Sequence, residues 1–271
     1  MRRRLSHPVL YVVLIIGALI MVFPFLWTLV TSISPGASLT ATPKLIPDNP
    51  SLAPYFELFS RVPFARVIVN SLIIAVISTV FQLVTSSMAA YVFSRMPFKG
   101  RGGIFALYLA TMMIPFQVLI VPLFVEMKNF GLINTYFGAI LPTIASAFGV
   151  FLLRQAMNSV PIELDEAATL DGAGHFRLFG QIILPLVRPG LATLAVFGFL
   201  NTWNSFLWPL IILRDPTMQT LPVALSSLQG QYSTQWDVLM AGSVVSIIPM
   251  FALYVFAQKY IIQGVAGTGI K

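Results

Sequence analysis

The run VLYVVLIIGALIMVFPFLWTLVTSI, from Val9 to Ile33, contains no acidic or basic side chain. At roughly 1.5 Å of rise per residue, about 20 such residues cross the ~30 Å hydrocarbon core of a bilayer as a helix. Five further apolar runs follow it: Val67 to Phe93, Ile104 to Val125, Tyr136 to Leu153, Leu191 to Leu213 and Val238 to Ala257. They lack the period-two alternation of outer-membrane barrel strands, and a helix satisfies its own backbone where no water is available. The runs predict an all-α membrane protein of six transmembrane helices. No long polar linker separates them, so residues 1–271 are read as a single transmembrane domain.

Composition agrees. Hydrophobic residues make up 57% of the chain and charged residues 9%, against about 25% charged in a soluble domain. The first run follows Met1-Arg2-Arg3-Arg4 and resembles a signal peptide. Its apolar core exceeds the usual ~7 to 15 residues, and no small-x-small cleavage site follows, so it is read as a retained span.

The net charge of +7 is spread between the apolar runs and forms no continuous basic stripe, which argues against nucleic acid. Membrane topology accounts for it better. With the N-terminus inside, the inner segments hold Arg2, Arg3, Arg4, Arg95, Lys99, Arg101, Arg154, Arg177, Arg188, Lys259 and Lys271; the outer ones hold Lys44, Arg61, Arg66, Lys128 and Arg214. The positive-inside rule therefore predicts both termini in the cytoplasm. Without cysteine, disulfides and thiolate chemistry are excluded.

Six prolines between Ser34 and Arg66 rule out a long helix and mark an external loop. Pro24, Pro115, Pro142 and Pro249 fall inside spans, where a helix kinks unless neighbours or water satisfy the freed carbonyl.

Between the fourth and fifth spans, at about residues 158–180, lies a polar connector reading NSVPIELDEAATLDGAG from Asn158 to Gly174. Pro161 suits an early helical position, Glu163, Asp165 and Glu166 suit the positive end of the helix dipole, and Gly172 suits the stop. Leu164, Ala167, Ala168 and Asp171 fall on one narrow face with small residues at its centre. Such a face fits either a solvated amphipathic connector or a surface approached closely by another protein.

Glu166-Ala167-Ala168, Gly172, and then Ile182-Ile183-Leu184-Pro185 together resemble the EAA signature of binding-protein-dependent ABC permeases. The resemblance extends through Asn70-Ser71-Leu72, Ala89-Ala90-Tyr91 with Arg95, Met113-Ile114-Pro115, Gly131-Leu132, Trp203-Asn204 with Phe206, and the tail from Gly264 to Lys271. It is closest to carbohydrate-uptake permeases of the MalG type. Ser205 departs from the acid that many relatives carry after Trp-Asn.

The resemblance implies a type I importer permease in the bacterial inner membrane. The connector helix would be a coupling helix, with Glu166, Ala167, Ala168, Asp171 and Gly172 at the contact with a cytoplasmic ATPase. It further implies a second permease subunit, two ATPase subunits that bind ATP and Mg, and an extracytoplasmic solute-binding protein. ATP binding would close the ATPase dimer and turn the pore outward; hydrolysis would reset it. The expected cargo is a sugar or oligosaccharide, with glycerol phosphates or other small polar solutes as the alternative, and an ATP-independent channel further off.

The chain itself is read as non-catalytic. Gly264 to Lys271 superficially resembles a phosphate loop, but Lys271 is one place too late and no helix follows. The connector acids lack an aromatic pocket for glycoside cleavage, and His7 and His175 have no spaced metal-ligand partners.

Polarity within the spans points to a solute path. Asn201, Asn204 and Trp208 lie at i, i+3 and i+7, offering two amides and an indole to a sugar's hydroxyls and CH faces. Trp203, Gln82 and Gln117 join them as candidates. Asn and Gln also hold helices together by hydrogen bonds of about 0.6 to 2 kcal/mol, and Trp also anchors at the interface, so packing stands beside transport as a reading.

Overall fold

A computed structural model describes residues 7–37, 46–61, 63–229 and 234–266. Arg2, Arg3, Arg4, Lys44, Lys271 and the tail beyond Ala266 lie outside the described residues. The chain is nearly all helical. In chain order come α1 (His7–Ser32), α2 (Ala53–Arg61), α3 (Phe64–Arg95), α4 (Arg101–Ala110), α5 (Phe116–Asn129), α6 (Tyr136–Ile140) and α7 (Ala147–Asn158). Then follow α8 (Glu163–Leu170), α9 (His175–Arg177), α10 (Leu184–Leu186), α11 (Arg188–Trp203), α12 (Leu207–Ile212), α13 (Leu221–Ser227) and α14 (Trp236–Ala266).

Three of the expected crossings are continuous helices: Pro8–Ser32, Phe64–Arg95 and Trp236–Lys259 are each long and apolar enough to span a membrane. Pro24 and Pro249 sit inside α1 and α14 without ending them. The other three are bent pairs, so the described residues hold three spanning helices, or six if each bent pair counts as one crossing.

Each bend has a local cause. Arg101–Met113 and Phe116–Asn129 meet at 94°, where Ile114 is extended at φ −83°, ψ 114° ahead of Pro115, as the residue before proline prefers. Tyr136–Thr143 and Ala147–Asn158 meet at 48°; there the Ser146 hydroxyl accepts from Gly149 N and restarts the helix. His175–Leu186 and Arg188–Trp203 meet at 78°. Leu178–Ile183 is π-helical, ending just before Pro185. That proline has no N–H for the Gln181 carbonyl and would collide with it in an α-helix; the bend itself falls at Val187, at φ −99° and ψ 18°, two residues before Pro189, which has no N–H for the Pro185 carbonyl.

The expected fifth span, Leu191 to Leu213, is not continuous: α11 stops at Trp203 and α12 starts at Leu207. Asn204 ends α11, its Nδ2 donating to Leu200 O at 2.8 Å.

Two compact units make up the chain. One comprises residues 1–65 and 224–249. Within it Ser51 N donates to Ile33 O at 2.9 Å, the Ser32 and Tyr55 hydroxyls lie 2.8 Å apart, and Gly36 N donates to Asp237 Oδ2 at 2.8 Å. The short α2 is the regular part of the proline-rich segment, and Leu58 on it is fully buried.

The second unit comprises residues 66–223 and 250–271. It holds two apolar clusters. One gathers Ala90, Tyr91, Phe105, Leu153, Met157 and Ala168 at one end of α3; the other gathers Ile74, Met127, Ile140, Trp208 and Ile212 towards its other end. Between them α3 presents buried Ser78, Gln82 and Ser86, spaced at i, i+4 and i+8 on one helical face.

Candidate functional site

That polar stripe meets the break between α6 and α7. Gln82 Nε2 donates to Thr143 O at 2.8 Å, Thr85 Oγ1 to Ile144 O at 2.7 Å and Ser86 Oγ to Ser146 O at 3.5 Å, while the Ser78 and Thr143 hydroxyls lie 2.9 Å apart. Gln82 and Thr85 of α3 thus satisfy the Thr143 and Ile144 carbonyls at the interruption, while Ser146 O also accepts from Val150 N at 3.0 Å in the restarted helix; such pairing is the condition under which irregular backbone is tolerated at membrane depth. α11 packs closely on the same stripe. A Cβ on Gly198 would lie 2.9 Å from Gln82 Oε1, and one on Gly149 would lie 2.5 Å from Ser86 Oγ.

Two adjoining cavities open here, of about 600 and about 530 Å³, sharing Gln82, Ser146, Asn201 and Ser205. Three interruptions border them. Phe116 and Gln117 stand just after the α4–α5 bend, Pro142 to Ser146 include the α6–α7 break, and Asn201 to Leu207 include the α11–α12 break. The lining side chains are amides, hydroxyls, aromatics and apolar groups; among the described residues that line them, Asp, Glu, Lys and Arg do not occur.

The candidate path residues separate by role. Gln82 is buried and fixed by Thr143; Gln117 and Asn201 are exposed and line the cavities. Asn204 lines the larger one, although its amide also lies 3.6 Å from Met250 Sδ. Because the helix breaks at Asn204, Trp208 leaves the expected i+7 register. It borders the smaller cavity from a buried position, its Nε1 donating to Gly138 O at 3.1 Å and its ring meeting Phe116 edge-to-face. Trp203 does not reach either cavity; it is buried and stacked on Phe199 with centroids 5.6 Å apart. The sequence reading missed Phe116, Ser146, Phe148, Phe197 and Phe206, whose residue types carry no signal of a cavity on their own.

The connector forms the expected short helix, α8. Pro161 lies just outside it, its carbonyl accepting from Leu164 N at 3.4 Å. At its end Ala173 N donates to Ala168 O and Gly172 N to Thr169 O, with Gly172 at φ 81°. These paired bonds and the left-handed glycine form a Schellman stop.

The small face divides. Ala168 is 8% exposed, turned inward into the cluster at the end of α3, whereas Ala167, Glu166, Asp171 and Gly172 face outward. The buried partner of Ala168 is Asp165, three residues earlier. Asp165 Oδ2 pairs with Arg95 Nε at 2.9 Å. Burial holds the Asp165 carboxyl above the ordinary carboxylate range, and the Arg95 guanidinium pulls it partly back. Around the outward face stand Leu164, which the sequence reading placed there, and apolar side chains it did not select: Ile162, Leu170 at 90% exposure and Phe176 at 92%.

Residues 82–267 match the family described as "Binding-protein-dependent transport system inner membrane component". The chain is 39% identical to the arabinooligosaccharides transport system permease protein AraQ of Halalkalibacterium halodurans, over 99% of each protein. It is 34% identical to the sn-glycerol-3-phosphate transport system permease protein UgpE of Rhizobium meliloti, over 98% of each. Among solved structures, a bacterial ABC transporter involved in the import of the acidic polysaccharide alginate contains a chain similar to this one at a TM-score of 0.82 and 26% identity, covering 93% of this chain and 95% of that chain.

Proposed function

Because the chain belongs to the binding-protein-dependent transport system inner membrane components, we propose that it lines the pore of an ATP-driven importer for an uncharged sugar or oligosaccharide. One observation carries the cargo: three helix interruptions converge on cavities lined by amides, hydroxyls and aromatic rings without a charged side chain. Amides and hydroxyls match sugar hydroxyls, and Phe faces match the CH faces of a pyranose. A phosphate taken into such a site would lose its hydration without gaining a cationic partner, which is costly. Gln82, Gln117, Asn201 and Asn204 are the proposed polar contacts.

In this reading the molecule makes six crossings with both termini in the cytoplasm, each bent pair counting as one. α8 is the coupling helix, presenting Glu166, Ala167, Asp171 and Gly172 together with Leu164, Leu170 and Phe176 to an ATPase subunit. Two such subunits bind ATP and Mg and carry out hydrolysis, a second permease completes the pore, and an extracytoplasmic binding protein delivers the solute. Support for the docking surface comes from its exposed apolar side chains, which a solvated connector has no reason to keep.

The test is the ATPase rate of the purified complex, reconstituted with its binding protein and offered a panel of solutes. Neutral oligosaccharides are expected to raise the rate severalfold, and glycerol phosphates to leave it at baseline. Stimulation by phosphorylated solutes alone would overturn the cargo reading, and copurification without any ATPase chain would overturn the importer reading.

A further inference from the structure

We propose that Arg95 and Asp165 form the joint through which movement of the 158–180 loop reaches the cavities, with α3 as the stiff member between them; this rests on reading α8 as the docking helix. The last turns of α3 hold the loop at three places. Arg95 Nη2 donates to Val160 O at 2.8 Å where the loop begins. Its Nε meets Asp165 Oδ2 on α8 at 2.9 Å, with both side chains at most 10% exposed. The Tyr91 hydroxyl lies 3.2 Å from His175 Nδ1 where the loop leaves. Further along the same helix, Gln82, Thr85 and Ser86 hold the carbonyls of Thr143, Ile144 and Ser146 beside the cavities.

α3 is suited to carry displacement between these two sets of contacts. It runs unbroken from Phe64 to Arg95 and contains neither glycine nor proline, whereas the helices around the cavities are interrupted. From Gln82 to Arg95 it extends about 20 Å at ~1.5 Å per residue. A shift of α8 that moves Asp165 is therefore passed along the axis to the α6–α7 break rather than absorbed by bending.

The joint is also incompletely satisfied. Among the described residues Asp165 Oδ1 is buried without a hydrogen-bond donor, and Arg95 Nε faces Oδ2 without hydrogen-bond alignment. A buried polar atom left unmatched costs stability. An ion pair kept only to hold the loop in place gains nothing from that mismatch. A joint with a second arrangement, in which the carboxylate regains a donor as the loop moves, uses it: the mismatch lowers the cost of leaving the present state.

The test uses the assembled complex with cysteine-free partners and a reporter cysteine at Ala145, an exposed residue lining the smaller cavity beside the α3-held carbonyls. The chain has no cysteine of its own. In the otherwise unaltered complex, thiol reactivity at the reporter should change about tenfold between nucleotide-free and ATP-trapped states, a size typical of coupling between distant sites. Asp165→Asn should keep ATPase association and basal hydrolysis but flatten that change to under about twofold, and Asp165→Glu should restore part of it. Should the Asp165→Asn chain fail to fold, Arg95→Lys, which keeps the charge and loses the fork to Val160, should show the same flattening. An undiminished change in an assembled variant overturns the joint. So does loss of ATPase binding in variants whose permease chain remains folded, because the pair would then serve docking. If the parent complex itself shows no nucleotide-dependent change, or binds no ATPase, the docking reading fails and the joint fails with it.

Discussion

Gly138 and Gly198 both sit where a side chain would collide, and the two collisions differ in kind. At Gly138 a Cβ would lie 2.2 Å from the Leu132 carbonyl oxygen, a backbone atom that cannot turn aside, and its own carbonyl holds Trp208 Nε1. At Gly198 the obstacle is Gln82 Oε1, the tip of a side chain whose other amide atom is bound to Thr143. Gly138→Ala should therefore cost stability by about 1 to 3 kcal/mol or more, as overpacking does, and appear as a lowered thermal midpoint of the purified protein. Gly198→Ala should leave the midpoint within about 1 kcal/mol while displacing the Gln82 amide and reducing uptake, since the tip of Gln82 can move only by weakening its bond to Thr143. A larger stability loss at Gly198 than at Gly138 would mean that the α3–α11 approach, not the contact of α6 with the Leu132 carbonyl, is the tighter one.

At the scale of elements, α8 shows why a small face is ambiguous until the fold is known. Alanine suits both burial and close approach by a partner, so the spacing of Leu164, Ala167, Ala168 and Asp171 does not reveal that Ala168 turns inward while Ala167 turns out. The inward orientation follows from Arg95, distant in sequence, drawing in Asp165 one turn before Ala168. Consequently Ala168→Arg should disturb this chain's own packing and lower the yield of folded protein, with a loss of about 1 to 3 kcal/mol. Leu170→Asp and Phe176→Asp should leave the thermal midpoint nearly unchanged, as exposed substitutions do within about 0.5 kcal/mol, and abolish copurification of the ATPase subunit. Retained copurification in both would place the contact elsewhere on the loop. The continuous helices α1, α3 and α14 were legible because an uninterrupted apolar run leaves lipid-spanning helix as its one inexpensive conformation. The interruption at Asn204 to Phe206 was not read, although Pro209, four residues after Ser205, has no N–H for the Ser205 carbonyl and fits the first turn of a new helix; the end of α11 is a local amide bond from Asn204 to Leu200. The polar residues of the cavity were legible by type, as Gln82, Gln117, Asn201 and Asn204, but their arrangement depended on breaks that periodicity does not register.

For the whole molecule, the bends make the number of membrane crossings testable. Between Ser51 and Thr169 the chain contains one continuous spanning helix, α3, and two bent pairs, Arg101–Met113 with Phe116–Asn129 and Tyr136–Thr143 with Ala147–Asn158. If each bent pair crosses, three crossings separate Ser51 from Thr169 and the two lie on opposite sides. If exactly one pair is re-entrant, they lie on the same side; if both are, they again lie opposite. A third position resolves the remaining ambiguity. Asn129 ends α5, after the first bent pair, so it shares a side with Ser51 only when α4 and α5 together make a full crossing. The basic residues favour that arrangement: Arg95 and Lys99 precede α4, Arg101 opens it, Arg154 lies on α7 and Arg177 within the connector, whereas Lys128, in the last turn of α5, is the one basic residue at the other end of the two bent pairs. Single cysteines at Ser51 and Asn129 in the native cysteine-free chain should react with an impermeant thiol reagent in intact cells, and one at Thr169 only after permeabilisation. Labelling of Ser51 and Thr169 alike would make one bent pair a re-entrant hairpin, and labelling of Ser51 but not Asn129 would identify the α4–α5 pair, with its 94° bend, as the segment that turns back.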